Sequence, residues 1–312
     1  MIFLVNKMKT DQYTEEIVYQ WQKTWSEKDL VQSVESCGND TVLLPYFVRY
    51  LPKNGKILES GCGFGHWVVY LKRMGYQMAG LEIVPECVET CKKFFPETEM
   101  KVGDVRQIPY PDNSFTGYIS IGVLEHMIEG PEKTIMEMYR VLQSGGISII
   151  IVPAFNYFMR LWYPIRQLFV KLLRRNEFVR KILGKQSYPS SKNHEFKLKI
   201  KEIEEKVQSQ FWPVIGLDIV KGPMFIEYKC KRGHLEGLLK SKGFEIVESA
   251  PISHPHIFHD IFGNLFLKKG GEFPKGETLQ LNFCGRFILD LFNALSPHFF
   301  NYVYIYVVRA NK

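Results

Sequence analysis

Along the first half of the chain, short apolar runs alternate with stretches whose apolar residues recur every three to four positions. The first pattern predicts strands and the second predicts helices packed on them. Lys56-Ile57-Leu58-Glu59 reads as a strand running into Gly61, and His66 to Met74 as the helix that follows it. Gln77 to Ile83 reads as a second strand, and Pro85 to Phe95 as a helix opened by its proline. Met100 to Val105 and Phe115 to Ile121 predict two more strands, and Pro131 to Leu142 a helix. Ile147 to Val152 is a wholly apolar strand, entered by a turn at Gly145-Gly146. Alternating strands and helices with fully apolar strands predict an α/β fold built on a doubly wound, largely parallel sheet.

Beyond Pro153 the alternation stops. Residues 154–226 are aromatic and basic. A helix (His234 to Lys242) and strands at Phe244 to Val247 and Tyr302 to Val308 then resume the sheet pattern. The expected organisation is an N-terminal helical segment over residues 1–52, a core over 53–153, an insertion over 154–226, and completion of the sheet over 227–312, with a second insertion at 251–300. Ligands of open α/β sheets bind beyond the carboxyl ends of the strands. Both insertions leave from such ends, so both are expected to cover the site. The Trp- and Tyr-rich start (Trp21, Trp25, Tyr46, Tyr50) is expected to pack on the same edge.

Composition narrows the class. Of 312 residues, 46% are apolar and 23% charged, which excludes a disordered or collagenous chain. The six cysteines include no C-x-x-C pair, so neither a disulfide framework nor a zinc site is expected, and a reducing cytoplasm is the fitting setting. Met1 to Val5 is too short for a signal-peptide core. The aromatic stretches Ile147 to Tyr163 and Phe287 to Val308 are both broken by Pro, Asn and charged residues. Neither supplies the roughly 20 apolar residues of a membrane span.

Charge divides unevenly, −4 over residues 1–150 and +11 over 151–312. Residues 160–185 carry eight Lys or Arg against Glu177, while Leu161, Ile165, Leu168, Phe169, Leu172, Val179 and Leu183 fall near one helical face. Two readings stand: a lid helix packed on the core, or an amphipathic helix on an anionic membrane surface, making the protein peripheral. Either favours an acceptor with a lipid tail or anionic groups.

Glu59-Ser60-Gly61-Cys62-Gly63-Phe64-Gly65 directly follows a strand and opens a helix. Glycines there let a ligand approach the backbone beside a helix N-terminus. Glu82 ends the next strand, where an acidic residue typically holds ribose hydroxyls. A nicotinamide-dependent oxidoreductase uses G-x-G-x-x-G, whose third glycine would fall on His66. The spacing G-x-G-x-G instead resembles motif I of class I S-adenosylmethionine-dependent methyltransferases. Gly80-Leu81-Glu82-Ile83 and Gly103-Asp104-Val105 follow in order. Next come Ser120-Ile121-Gly122-Val123-Leu124-Glu125-His126, Pro131-Glu132 and Arg140-Val141-Leu142. Together these resemble the UbiE-like (type 11) small-molecule group over residues 53–153.

The resemblance implies a Rossmann-like seven-stranded sheet with an antiparallel last strand, here Tyr302 to Val308, and S-adenosylmethionine as cofactor. It places Glu59, Gly61, Cys62, Gly63 and Gly65 around the methionine part, Glu82 and Ile83 at the ribose, and Asp104 and Val105 at the adenine, with Gly122 also in the cofactor site. The expected activity is methyl transfer to a small-molecule, glycan or lipid-linked acceptor, with oxygen the favoured atom. Such an acceptor needs a base. His126, just past the fourth strand, is the candidate by topology, with structural loop-capping as the alternative for it and for Glu125. The run His254-Pro255-His256-Ile257-Phe258-His259-Asp260 adds His256 and His259 as further candidates. Without a fitting fourth ligand it predicts no metal site. Cys87 and Cys91 share a helical face and read as packing residues.

Nucleic acid is disfavoured, because the segment after the fourth strand lacks the Asp-Pro-Pro-aromatic and Pro-Cys motifs of base methyltransferases. A tRNA-modifying variant and a non-catalytic, cofactor-binding regulator remain as alternatives. The sequence leaves the oligomeric state open.

Overall fold

The computed structural model describes residues 12–26, 29–169, 177–182, 194–218, 222–252, 258–259, 263–268 and 280–312. Three helices open the chain: α1 (Gln12–Ser26), α2 (Leu30–Ser36) and α3 (Leu43–Tyr50). The alternating core follows as β1 (Lys56–Ser60), α4 (His66–Arg73), β2 (Gln77–Glu82), α5 (Pro85–Phe94), β3 (Glu99–Val102), β4 (Phe115–Ile121), α6 (Glu132–Val141) and β5 (Leu142–Pro153). Then come α7 (Tyr157–Phe169), α8 (Glu177–Ile182), α9 (His194–Lys206), β6 (Trp212–Asp218), β7 (Gly222–Lys229), α10 (Arg232–Ser241), β8 (Phe244–Ile252), α11 (Phe283–Leu295) and β9 (Val303–Ala310).

The sheet is seven-stranded and mixed, in the order β3-β2-β1-β4-β5-β9-β8, with the last strand of the chain antiparallel. β1 pairs in parallel with β2 (Glu59 opposite Gly80) and with β4 (Glu59 opposite Ile119). The carboxyl ends of these three strands are therefore aligned. β2 is buried on both faces along nearly its whole length, which is why it reads as an unbroken apolar run. α5 begins at Pro85 because proline's missing N–H and fixed φ suit the first helical position.

By its internal packing the chain divides into two compact units: Met1–Ile121, Met136–Ile149 and Arg309–Lys312 form the first, and Gly122–Ile135 and Ile150–Val308 the second. In the first, Arg140 holds the loop before β4. Its guanidinium donates to the carbonyls of Ile108 and Tyr110, both at 2.9 Å, and to Glu137 at 2.7 and 2.8 Å. Glu137 in turn accepts the Ile108 N–H at 2.7 Å. Arg140→Met leaves two carbonyls and the carboxylates of Glu137 and Asp112 without this donor. The expected loss is about 2 kcal/mol, read as a lower urea midpoint at unchanged slope; a shift below about 0.5 kcal/mol would show that water replaces the guanidinium.

Two features depart from the sequence pattern. β5 starts at Leu142 and runs through Gly145-Gly146, which are not a turn outside the strand. Its exposed beginning at 143–145 carries no apolar signal. Residues 154–226 contain the antiparallel pair β6–β7, with Trp212 opposite Lys229 and Asp218 opposite Gly222. On α7 the inward side is formed by Phe158, Met159 and Tyr163, which pack in the second unit's core with Phe155, Phe258 and Phe300. Leu161 and Ile165 are instead 64% and 57% exposed. Much of 160–185 lies outside the described residues. Among those described, no helix is long and apolar enough to cross a membrane.

Candidate functional site

The loop after β1 is pinned at both ends. The Gly61 and Cys62 N–H groups donate to the Leu81 carbonyl at 2.8 and 3.1 Å, and Gly65 N–H donates to Cys62 at 2.8 Å. Gly63 and Gly65 have φ of +55° and +74°, a region that costs side-chain-bearing residues about 1–2 kcal/mol. The two glycines serve different purposes. A Cβ on Gly65 would meet Met100 Sδ at 3.0 Å and Cys91 Sγ at 3.3 Å, so this position faces the packed interior. A Cβ on Gly63 would lie 2.1 Å from the Trp25 indole. α1 therefore covers the glycine loop, as its aromatic pattern suggested. Gln22, donating to Glu86 at 2.9 Å, and the Trp25–Phe64 ring pair at 5.3 Å hold it there.

Two carboxyls end the neighbouring strands. Glu82 accepts from Gly63 N–H at 2.7 Å and from Val84 N–H at 3.1 Å, tying the glycine loop to the end of β2. Burial raises its pKa, against these backbone donors. Glu59 is 3% exposed. Burial pushes its carboxyl up to about 8; the Val68 N–H at the start of α4 opposes this, and the charge of Glu82 adds to it. Among the described residues, its Oε2 is buried without a hydrogen-bond partner. A buried acceptor left in this way is costly unless a ligand supplies the donor. An ammonium group held beside a left-handed glycine loop meets that need.

Burial raises the Cys62 thiol well above its usual range, with Glu59 and Glu82 adding to the effect, and Cys62 Sγ sits 3.7 Å from Met100 Sδ. It packs the loop and is not primed as a nucleophile. Beyond Glu82, Ile83 is half-buried. Gly103 N–H donates to the Glu82 carbonyl at 2.9 Å and so brings Asp104 beside the end of β2. The Arg106 guanidinium grips the Asp104 carboxylate at 2.7 Å, and Val105 next to it is buried. Cys87 and Cys91 lie on the buried face of α5.

In the second unit, Gly122 N–H donates to Ile151 at 3.0 Å and the chain turns into Leu124-Glu125-His126. His126 Nδ1 is 2.7 Å from the Ile226 carbonyl. A carbonyl only accepts, so the proton sits on Nδ1 and the lone pair on Nε2. Burial lowers the pKa of His126, and the Ile226 bond opposes it. Glu125 Oε1 lies 3.9 Å from Nε2. Burial pushes the Glu125 carboxyl up to about 8, keeping it neutral near pH 7.

Glu227 completes the group, with ligand-type atoms of Glu125, His126 and Glu227 within 4.8 Å of one another. Lys229 already supplies a cation there, 2.7 Å from Glu227, so the cluster suits proton handling better than a divalent ion. Glu227 and Lys229 went unread in the sequence. Their alternation on one face of β7 is the signal that marks them. Of the other candidates, His259 is half-buried in the second unit, and His256 lies outside the described residues.

Residues 58–150 match a methyltransferase domain family. Ajmaline N-methyltransferase of Rauvolfia serpentina is 35% identical over 107 residues, 32% of this chain and 36% of that protein. An S-adenosyl-L-methionine-dependent Diels-Alderase of Talaromyces variabilis is 30% identical over 104 residues, 31% of this chain and 35% of that one. The chain thus spans about a third of the length of these curated relatives. Among solved structures, an S-adenosylmethionine-dependent methyltransferase of Methanosarcina mazei superposes with a TM-score of 0.52 at 16% identity. That superposition covers 86% of this chain and 97% of the other, and it speaks for the fold alone. Residues 58–150 thus form a domain of the class I S-adenosylmethionine-dependent methyltransferase type, whose cofactor is S-adenosylmethionine.

Proposed function

We propose that the protein transfers the methyl group of S-adenosylmethionine to an oxygen of a small-molecule, glycan or lipid-like acceptor. The observation that carries the cofactor part is the buried, partnerless Oε2 of Glu59 beside the Gly63 loop, with Glu82 at the end of the adjacent parallel strand. In this reading Glu59 holds the amino group of the methionine part, Glu82 the ribose hydroxyls, and the Asp104-Val105 segment the adenine. When bound, the cofactor supplies an electrophilic methyl group on a sulfonium, so the protein's main task is to align the acceptor and exclude water.

His126 supports the choice of oxygen, and in the chain it follows directly on β4. Its Nδ1 bond to Ile226 fixes the tautomer whose Nε2 can take a hydroxyl proton. If so, His126→Asn lowers turnover by about 10²- to 10⁴-fold and leaves cofactor affinity intact. It also removes the acidic limb of the pH–rate profile, which lies below 6.5 because burial lowers this pKa. An acidic limb that persists in the variant removes His126 as the base.

The reading is tested by incubating the protein with methyl-labelled S-adenosylmethionine and a fractionated metabolite and lipid extract. The expected result is organic-soluble label that alkali leaves in place if it is a methyl ether and releases as methanol if it is a methyl ester, and that falls with Gly63→Ala. Cofactor binding without label in any fraction would favour a non-catalytic regulator.

A further inference from the structure

The second unit contains a pocket of about 440 Å³ whose wall is formed entirely by apolar side chains. Phe158, Leu161 and Ile165 contribute from α7, Ile288 and Phe292 from α11, and Phe299 from the segment before β9. Ligand pockets of this size usually carry a few polar groups that orient a polar ligand. Here the wall offers none, so the part of the ligand it receives has no polar atoms either. The pocket is about three times the volume of an engineered apolar cavity that stays dry and takes up benzene.

Its rim faces solvent. Leu161 and Ile165 line the pocket and remain more than half exposed, a position that soluble domains seldom give to contiguous aliphatic side chains. An apolar interior that opens to solvent matches an amphipath whose hydrocarbon chain enters and whose polar head stays outside.

We propose that this pocket takes the hydrocarbon chain of a single amphipathic lipid, whose polar head stays at the solvent-facing mouth formed by Leu161 and Ile165. Binding of the chain stands independently of the methyltransferase reading.

The test uses the full chain and cis-parinaric acid, whose fluorescence rises in an apolar site, followed by displacement with unlabelled fatty acids of increasing length. One saturable site is expected, with affinity rising about fourfold per added methylene until the pocket is full. Ile165→Glu, at an exposed lining position where the fold survives a charge, is expected to weaken binding at least tenfold. Phe287→Ser, on the exposed side of α11 and outside the pocket, leaves it unchanged. The proposal is overturned if the folded protein shows no saturable binding, if affinity ignores chain length, or if Phe287→Ser matters and Ile165→Glu does not. It is equally overturned if binding occurs only to intact anionic vesicles, or if sedimentation shows a dimer that Ile165→Glu dissociates. A parallel titration with S-adenosylmethionine separates the two readings. Cofactor binding without chain binding removes the lipid proposal alone, and chain binding without cofactor binding removes the methyltransferase reading alone.

Discussion

Gly63→Ala weakens S-adenosylmethionine binding by at least tenfold while the protein remains folded, and Gly65→Ala does the reverse. The two positions lie two residues apart with φ of +55° and +74°, so each alanine carries the same left-handed penalty of about 1–2 kcal/mol. What differs is the space ahead of the new methyl group. At Gly65 it meets Met100 and Cys91 in the interior, and the strain appears as lost stability. At Gly63 it meets the half-buried Trp25 indole, a side chain at the edge of the loop's cover. The cost there falls on the cover of the loop and on the Gly63 N–H bond to Glu82. A tenfold loss corresponds to about 1.4 kcal/mol of binding, within what a displaced loop and one charge-assisted hydrogen bond supply. Calorimetric titration and thermal melts of the two variants check the contrast. Equal cofactor affinity in Gly63→Ala and the parent would remove this loop from the binding site.

Cofactor affinity rises about tenfold per pH unit between pH 5 and 7, and Glu59→Gln flattens that slope. Glu59 is neutral in this range because burial places its pKa near 8. Pairing with an ammonium requires the carboxylate, so binding releases one proton to solvent. The range stops at 7 because an α-amino group itself titrates near about 8. The same shift acts on folding with the opposite sign. A pKa raised from 4.5 to about 8 favours the neutral carboxyl in the folded chain. That contribution to stability is whole below pH 4.5 and is lost as pH rises to about 8, by up to about 1.4 kcal/mol per pH unit. Glu125 moves in the same direction for the same reason. Titrations in two buffers of different ionisation enthalpy read the released proton directly, and a pH-independent affinity would show that Glu59 faces no cation.

Much of this site was legible in the sequence because its determinants are local. The G-x-G-x-G loop, Glu82 and Asp104 each sit at or just past the end of a short strand of the alternating core, so strand, turn and helix follow one another in register. The cover over Gly63 was legible only as an aromatic helical pattern in residues 1–50; which ring lands on which glycine depends on tertiary packing. The second unit was far less legible. The apolar residues of β7 do not themselves alternate, because Met224, Phe225 and Tyr228 bury side chains on both faces. Glu227 and Lys229 acquire meaning only when β7 brings them beside His126, about a hundred positions away in the chain. The basic stretch 160–185 predicts an amphipathic face, yet its Leu161 and Ile165 end up at a solvent-facing rim, since the neighbouring aromatics are larger and take the interior.

The account stands first on the cofactor. The measurement that tests it most directly is calorimetric titration of the purified chain with S-adenosylmethionine and S-adenosylhomocysteine, with NAD as the comparison. The predicted result is one site for each sulfur ligand with a dissociation constant on the order of micromolar, tighter at pH 7 than at pH 6 for S-adenosylmethionine, and no heat with NAD. A folded protein that binds neither sulfur ligand, or that prefers NAD, would contradict it.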